Sequence, residues 1–333
     1  MGEPAAAVTV RPFRPEDEDG LLRLLIAAFG RWPAREVTAS PAEHLHWKLR
    51  SSEAAFQAHV VAEAGGQIVG CRLFRIFDVH TGGRPLRACW GFDVAVLPDF
   101  RGQGVMTRLR DFGLAQLRRS VDLQFGGNTK VPAMRRLNAQ LELYPFANRL
   151  DLLERRAGAA SRAGADAPWT IGAPAQLDER IDALWEEARR PFDFITTRDR
   201  SVLNWRYCDV RGGSFQVRTA EQEGSVLAYV AWKREHDKGY VADLLALPDR
   251  LDALGSLVAE AVRHCDRAGL PVVRCWLPSH HPYREVLLRQ GFAPRRPYTR
   301  QRWGPLRAPV SELGMLADPQ AAFHFTMGDT DLV

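Results

Sequence analysis

A short glycine-rich turn, Arg101–Gly104, is the part of the sequence best suited to phosphate chemistry. It follows an apolar, β-prone run from Cys89 to Leu97 and precedes a run with an apolar stripe that starts at Val105. This pattern predicts a strand, a turn and a helix. Glycines let the backbone approach phosphate oxygens closely, and the first amides of a helix are free and carry a partial positive charge. The turn therefore predicts a site for a phosphate or a pyrophosphate.

The turn differs from two other phosphate-binding patterns. A Rossmann fingerprint needs a third glycine, and a P-loop needs Gly-Lys-Ser/Thr, but neither follows Gly104. A Gly-X-Gly turn before a helix also occurs as a plain tight connection. The turn by itself leaves both interpretations open.

The strand before the turn carries one acid, Asp93, among apolar residues. Alternation puts Asp93 and Ala95 on one face of the strand and Val94 and Val96 on the other. Apolar surroundings disfavour the charged form of a carboxyl group, which suits it to accept a proton as a general base. The alternative is a structural aspartate that hydrogen-bonds a neighbouring loop.

Three short patterns occur twice in the chain, in the same order. They are the tryptophan segments 45–49 and 203–207, the hairpins 62–69 and 220–227, and the strands 92–99 and 242–249. The offset is 158 residues for the first two pairs and 150 for the third. The order predicts an internal duplication in which each half forms a strand, a helix, a hairpin, a long strand, a helix, a strand and a helix. The fold class that follows is mixed α/β, with helices packed on a sheet in each half.

The predicted domain bounds follow from the repeat and from one linker-like segment. Residues 156–168 are small and polar, with Gly and Pro. They separate a first domain at 1–155 from a second at 169–305, with a tail at 306–333. Where the glycine turn should repeat, residues 251–254 read Leu-Asp-Ala-Leu, without glycine. The second domain is therefore predicted to be degenerate, with its phosphate site lost, and to shape the substrate site.

The segment 94–105 resembles the acyl-CoA-binding motif of GNAT N-acetyltransferases, in which a strand, Pro, an acid, an aromatic and Arg-Gly-x-Gly precede a helix. Residues 10–17 are similar to that family's first strand and turn, and residues 66–70 to its second-to-third strand hairpin. The resemblance covers residues 8–146 and, more weakly through the repeat, residues 169–303. It implies two tandem GNAT-like domains, each a mostly antiparallel mixed sheet flanked by helices.

The resemblance also implies acetyl-CoA, or a close acyl-CoA, as co-substrate, and no metal. In such proteins the strand pairs with the pantetheine arm and the amides of the turn hold the pyrophosphate. The residues placed at the cofactor in this way are Val94, Ala95, Val96, Arg101, Gly102, Gln103, Gly104, Val105, Met106 and Asn128. Met106 departs from the family pattern, which has a small residue there. The closing segment 325–331 is similar to tails of two-domain proteins of this group.

For catalysis, the resemblance places Asp93 as the base or as the anchor of the substrate amine. The tyrosine that usually acts as the acid falls on Met134 in this sequence, so Tyr144 is the substitute candidate. The structural alternative for Tyr144 is a core aromatic.

Three charged patterns are assigned structural roles. Lys48 and Arg206 each follow a tryptophan and are predicted to be solvated charges on packed helices, with a substrate clamp as the alternative. His280 and His281 are predicted to lie in a polar loop, because adjacent residues seldom share one metal ion.

The composition bounds the class of protein. The chain has 333 residues, of which 46% are hydrophobic and 26% charged, with a net charge of +5. These values are typical of a soluble globular protein with an anionic ligand. The sequence lacks the dense basic stripe that would predict nucleic-acid binding. The sequence has no run of about 18 apolar residues, so no membrane span is predicted. The five cysteines form no CxxC pair and no signal sequence is apparent, which favours a cytoplasmic protein with reduced thiols, as a monomer or a homodimer.

The leading hypothesis is an N-acetyltransferase that moves an acetyl group from acetyl-CoA to a primary amine of a small molecule, such as an amino sugar or a natural-product intermediate. The transfer would be a direct attack in a ternary complex. The alternatives are a protein or peptide N-acyltransferase and a non-catalytic CoA-binding module. A transferase that uses aminoacyl-tRNA on the same duplicated fold would not need the glycine turn.

Overall fold

The computed structural model describes residues 7–126, 132, 135–136, 139–159, 167–295 and 301–330. The strands within this part are β1 (Thr9–Pro12), β2 (Val60–Ala64), β3 (Gln67–Thr81), β4 (Leu86–Val96), β5 (Leu123–Gly126), β6 (Tyr144–Pro145), β7 (Leu150–Arg156), β8 (Thr170–Gly172), β9 (Phe194–Thr196), β10 (Phe215–Gln222), β11 (Ser225–Glu235), β12 (Lys238–Ala246), β13 (Val272–Pro278), β14 (Ala293–Pro294), β15 (Arg302–Pro305) and β16 (Phe323–His324). The helices are α1 (Glu18–Phe29), α2 (Pro41–Leu49), α3 (Glu53–Ala58), α4 (Val105–Leu117), α5 (Arg180–Ala188), α6 (Arg200–Leu203), α7 (Leu251–Arg267) and α8 (Arg284–Arg289).

The chain divides into two compact units. Unit 1 comprises Met1–Asp78, Leu86–Tyr144 and Gln301–Leu313, and unit 2 comprises Val79–Pro85, Pro145–Arg300 and Gly314–Val333. Each half of the sequence supplies most of one unit.

The sheet of unit 1 runs in the order β1-β2-β3-β4-β5-β15. β1, β2 and β3 pair antiparallel, whereas β4 and β5 run parallel. Successive residues of β2 enter two different cores: Val60 packs with residues of α4, and Val61 packs with residues of α1 and α2. Because alternate side chains of a strand point to opposite faces, the helices cover both faces of this sheet.

The helices of unit 1 form where their sequence predicts. In α1, Leu21, Leu24 and Leu25 are buried, which is the spacing of one helix face. α2 begins after Ser40, whose hydroxyl accepts from the amide of Glu43 while the Glu43 carboxylate accepts from the Ser40 amide. This reciprocal capping fixes the start of the helix that carries Lys48.

The sheet of unit 2 repeats the same plan in the order β8-β10-β11-β12-β13-β7-β14. β12 and β13 are the parallel pair, and the other described neighbours in this sheet pair antiparallel. Helix α7 buries Leu254, Leu257, Val258, Ala261 and Val262 in its core, a helical spacing. The mixed α/β fold class predicted from the sequence is confirmed.

Two local features agree with the duplication in detail. The hairpins β2–β3 and β10–β11 both turn through two residues with positive φ, at Gly65–Gly66 and Glu223–Gly224. This is the turn that two-residue hairpins favour. The parallel pairing starts at Ala88 in β4 and at Lys238 in β12, and these positions match at the offset of 150.

Strands β7 and β15 each pair in the sheet of the other half, across the predicted domain bounds. β7 comes from the end of the first half but pairs with β13 in unit 2, and β15 comes from the end of the second half but pairs with β5 in unit 1. The predicted bounds at 155 and 305 therefore do not coincide with the compact units. The physical reason is that β5 and β13 are equivalent strands of a repeat, so either closing strand can satisfy the open edge of either sheet.

Among the described residues, no helix has both the length and the apolar character needed to cross a bilayer.

Candidate active site

The glycine turn lies between β4 and α4, as predicted. A 3-10 turn covers Pro98–Phe100, and α4 begins at Val105. Gly102 and Gly104 have φ of +78° and +73°, a left-handed conformation that L-residues with a side chain rarely adopt. Within the described part of the chain, no side chain caps the N-terminus of α4. The first amides of this helix can therefore bind an anionic ligand.

A cavity of about 640 Å³ opens at this turn. Its walls are the end of β4, the glycine turn, the first turn of α4 and the end of α1, which contributes Ala28 and Phe29. The volume lies within the range of small-molecule and cofactor sites. Of the residues predicted at the cofactor, the cavity is lined by Val94, Ala95, Val96, Arg101, Gly102, Gly104, Val105 and Met106.

Two predicted cofactor residues are not in that lining. The side-chain amide of Gln103 donates to the carbonyl of Asp99 at 2.7 Å, on the exposed side of the turn. Asn128 lies outside the described residues, and so does Met134. Arg136 and Gln140 also line the cavity, and the sequence patterns did not single them out.

Strand β4 extends past its described pairing with β5 and reaches the cavity. In the described part of the chain, the parallel pairing covers Ala88–Trp90 against Leu123–Phe125, whereas β4 continues to Val96. Asp93 has a φ of +40°, which kinks the strand just beyond its described pairing with β5. The last residues of β4 thus face the cavity, and their backbone groups are placed for an extended ligand.

The carboxylate of Asp93 forms an ion pair with Lys48 of α2. The Lys48 Nζ lies 2.9 Å from Asp93 Oδ2, and the two side chains are only 12% and 14% exposed. The same ammonium lies 4.7 Å from the centre of the Phe92 ring. The prediction that Lys48 is a solvated charge is wrong, because α2 places this lysine against Asp93 of β4. Since an adjacent ammonium stabilises an ionised carboxylate, the expected apolar surroundings of Asp93 do not describe this site.

A thiol also contacts the backbone at the Asp93 kink. Cys71 of β3 donates from Sγ to the carbonyl of Asp93 at 3.1 Å. Burial, together with the charge of Asp93, raises the pKa of Cys71 well above its ordinary value. Burial likewise raises the pKa of Cys89 to about 12. Both thiols therefore stay protonated at neutral pH, which is unfavourable for a nucleophile.

Tyr144, the substitute candidate for the acid, is not a core residue. It is 37% exposed, and its ring centre lies 5.0 Å from that of Trp303. The Tyr144 hydroxyl donates to the carboxylate of Glu142, and this hydrogen bond raises the pKa of Tyr144. Tyr144 is not among the residues that line the cavity. Its role in catalysis stays a prediction.

Within the described residues, no group of three or more His, Cys, Asp or Glu side chains is arranged to hold a metal ion.

Comparisons with known proteins agree with this geometry. Residues 9–141 match the model of the acetyltransferase (GNAT) domain. No curated protein sequence matches the chain. Among solved structures, a conserved protein of unknown function from Enterococcus faecalis is 16% identical, with a TM-score of 0.69 over 90% of this chain and 73% of that protein. A GCN5-related N-acetyltransferase from Anabaena variabilis is 12% identical, with a TM-score of 0.67 over 93% and 75%.

A third solved structure, a GCN5-related N-acetyltransferase from Kribbella flavida, is 16% identical, with a TM-score of 0.65 over 92% of this chain and 73% of that protein. At these identities the likeness establishes the fold. Residues 9–141 thus match the acetyltransferase (GNAT) domain, and the chain shares its fold with these solved structures over most of its length.

Proposed function

We propose that this chain transfers the acyl group of acetyl-CoA, or of a close acyl-CoA, to a primary amine of a small molecule. The observation that carries the proposal is one cavity that joins the uncapped N-terminus of α4 to the end of β4. A pyrophosphate needs the first of these features and an extended amide-containing arm needs the second.

The proposed cofactor contacts are mainly made by the backbone. The amides of Gly102–Met106 hold the pyrophosphate, and the helix dipole adds to the attraction. The backbone of Val94–Val96 pairs with the pantetheine arm. Arg101 and Arg136 line the same cavity and add positive charge. The Nε of Arg101 already donates to the carbonyl of Val96 at 3.0 Å, which fixes the direction of its guanidinium beside the turn.

The proposed chemistry is a direct transfer. The amine nitrogen forms a bond to the thioester carbonyl carbon, the carbon–sulfur bond breaks, and coenzyme A leaves as the thiolate, which then takes a proton from water or from the Tyr144 hydroxyl. The proton that the amine loses goes to the Asp93 carboxylate, directly or through water, while the ion pair with Lys48 holds that carboxylate in place. The buried, protonated thiols of Cys71 and Cys89 support a route without an acyl-enzyme. Positioning of the two substrates supplies much of the rate enhancement.

The experiment is a screen of amines with acetyl-CoA that follows the release of free thiol. We expect turnover with small primary amines, amino sugars among them, and none with peptides that carry a lysine or a free N-terminus. Turnover with peptides alone would indicate a protein N-acyltransferase. Binding of acetyl-CoA without turnover on any amine would contradict catalysis and leave a CoA-binding module.

A further inference from the structure

The segment Phe323–Thr330 lies inside unit 2. All of its residues are buried, and Phe325 and Thr326 are 0% exposed. β16 pairs in parallel with β9, and a 3-10 turn at Met327–Asp329 follows. This segment belongs to the predicted tail at 306–333, and the sequence pattern alone did not predict its burial.

Charged side chains bind this segment on two sides. The Arg198 guanidinium lies 2.7 Å from the Asp329 carboxylate of the segment and 3.1 Å from the Asp243 carboxylate of β12. The hydroxyl of Thr326 donates to Asp243 at 3.1 Å. Burial by itself would raise the pKa of Asp243, but Arg198 and the hydrogen bonds around it hold that pKa below its ordinary value.

The fit extends to the backbone of the segment. Arg206 donates to the carbonyls of Gly328 and Thr330 at 3.3 and 3.4 Å, so the prediction of a solvated Arg206 is wrong. A Cβ at Gly328 would lie 1.8 Å from the Tyr207 hydroxyl oxygen. Only glycine fits at this position, and the contact is therefore specific to the sequence of the segment.

Two histidines add to the binding of the segment. Nδ1 of His281 accepts from the amide of Tyr283 at 3.0 Å, so its Nε2 carries the proton and donates to Nδ1 of His324 at 2.8 Å. His281 is buried, and the prediction that it lies in a polar loop is wrong. This hydrogen bond between two neutral histidines links the loop before α8 to β16.

The position of the segment corresponds to the cofactor cleft of the other half. The parallel pairing of β12 with β13 ends at Val241 and Cys275, although β12 continues to Ala246 and β13 to Pro278. β16 contacts β13, and the 3-10 turn of the segment contacts β12. Residues 242–246 match residues 92–96 at the offset of 150.

The remaining groups of that cleft are also taken by the chain itself. The Tyr283 hydroxyl is hydrogen-bonded to both the amide and the carbonyl of Ala246, each at 3.1 Å, and Ala246 is the counterpart of Val96. At the start of α7, the Asp252 carboxylate accepts from the amide of Ala253 at 2.8 Å. A carboxylate thus lies where the first half offers free amides to an anion.

We propose that the segment Phe323–Thr330 is a built-in ligand of unit 2, which occupies the cleft that corresponds to the acyl-CoA cleft of unit 1. The chain then binds one acyl-CoA, in unit 1 alone. This inference rests on the proposed function for the identity of the cofactor, but the binding of the segment is a property of unit 2.

Calorimetric titration of the full chain with acetyl-CoA tests the stoichiometry. We expect one site per chain, lost in Gly104→Asp. A second site that survives in Gly104→Asp overturns the inference and leaves the proposed function standing. No binding at all sinks the proposed function, and the inference is then decided by the exchange measurement that follows.

Hydrogen exchange on the full chain tests the segment itself. We expect the amides of residues 325–330 to exchange at least a hundredfold more slowly than in a free peptide of the same sequence. Asp329→Asn should speed exchange there and in residues 242–246 at least tenfold, while Asp237→Asn, which changes an exposed carboxylate beside Lys238, should change neither. Free-peptide rates in the wild-type chain, or an unchanged segment in Asp329→Asn, overturn the inference. If Asp329→Asn does not fold, the wild-type rates and the milder Thr326→Val variant decide.

Discussion

The ion pair between Lys48 and Asp93 makes the most informative prediction about the proton-transfer end of the site. The variants are Asp93→Asn, Lys48→Met and the double variant. Each single change leaves one charge without its partner in a place that is mostly closed to water, and removal of both leaves neither. The double variant should therefore be more stable than the sum of the two single effects implies.

The magnitude follows from the geometry. Two unit charges at the 2.9 Å separation of Nζ and Oδ2 attract by about 6 kcal/mol at an effective dielectric constant of about 20. Desolvation of both groups offsets most of this energy, so the coupling free energy in a double-mutant cycle should be about 1–3 kcal/mol. Each single variant should lose about 2 kcal/mol of unfolding free energy.

The cycle is measured by urea denaturation, and the same four proteins are then assayed with an active amine. If Asp93 accepts the proton, Asp93→Asn lowers kcat at least tenfold without a change in the Kd of acetyl-CoA. Lys48→Met should keep more activity than Asp93→Asn, because it leaves the carboxylate in place. Equal losses of activity in the two single variants would show that the ion pair only maintains the kink of β4 at Asp93. Unchanged turnover in Asp93→Asn would remove this residue from the mechanism.

Three further predictions concern Tyr144, Cys71 and His59. Tyr144→Phe should lower kcat at least tenfold with the KM of acetyl-CoA unchanged if its hydroxyl protonates the leaving thiolate; steady-state activity within twofold of wild type would exclude that role. Cys71→Ala should keep turnover within threefold, and a burst of acylated enzyme in rapid-quench experiments on the wild type would contradict direct transfer. Burial lowers the pKa of His59 to about 4, so the folded chain excludes a proton that the unfolded chain binds below about 6.5. Its contribution, about 3 kcal/mol, is present above pH 6.5 and is lost as the pH falls to 4, and urea titrations of His59→Gln should lack this part of the pH dependence.

The local elements of the site could be predicted from the sequence. The start of α4 at Val105, the turn at Gly102 and Gly104 and the two hairpins depend on backbone preferences of a few adjacent residues. Glycine marks positions with positive φ, and apolar spacing marks the buried helix faces. The order of elements in each half followed from the repeat for the same reason.

The partners of the charged side chains could not be predicted in this way. Lys48 and Asp93 are separated by 45 positions in the sequence, and Arg198 and Asp329 by 131. Only the packing of α2 on the sheet, or of the last segment into unit 2, brings them together. The pairing of β7 in unit 2 and of β15 in unit 1 has the same origin. A repeat makes the two sheet edges alike, and no short sequence pattern distinguishes one edge from the other.

Calorimetric titration with acetyl-CoA tests most directly whether the Arg101–Gly104 turn binds the pyrophosphate of an acyl-CoA. Gly104→Asp forces a side chain into a left-handed position and sets a carboxylate beside the phosphate site. At a separation of about 5 Å and an effective dielectric constant of about 20, each charge pair costs about 3 kcal/mol.

Gly224→Asp is the matched control, since Gly224 has a φ of +79°, open space around its Cβ position and a place in a hairpin of unit 2. We expect micromolar binding to the wild type and to Gly224→Asp, and an affinity at least a hundredfold weaker in a folded Gly104→Asp. Equal affinity in all three proteins would contradict this expectation.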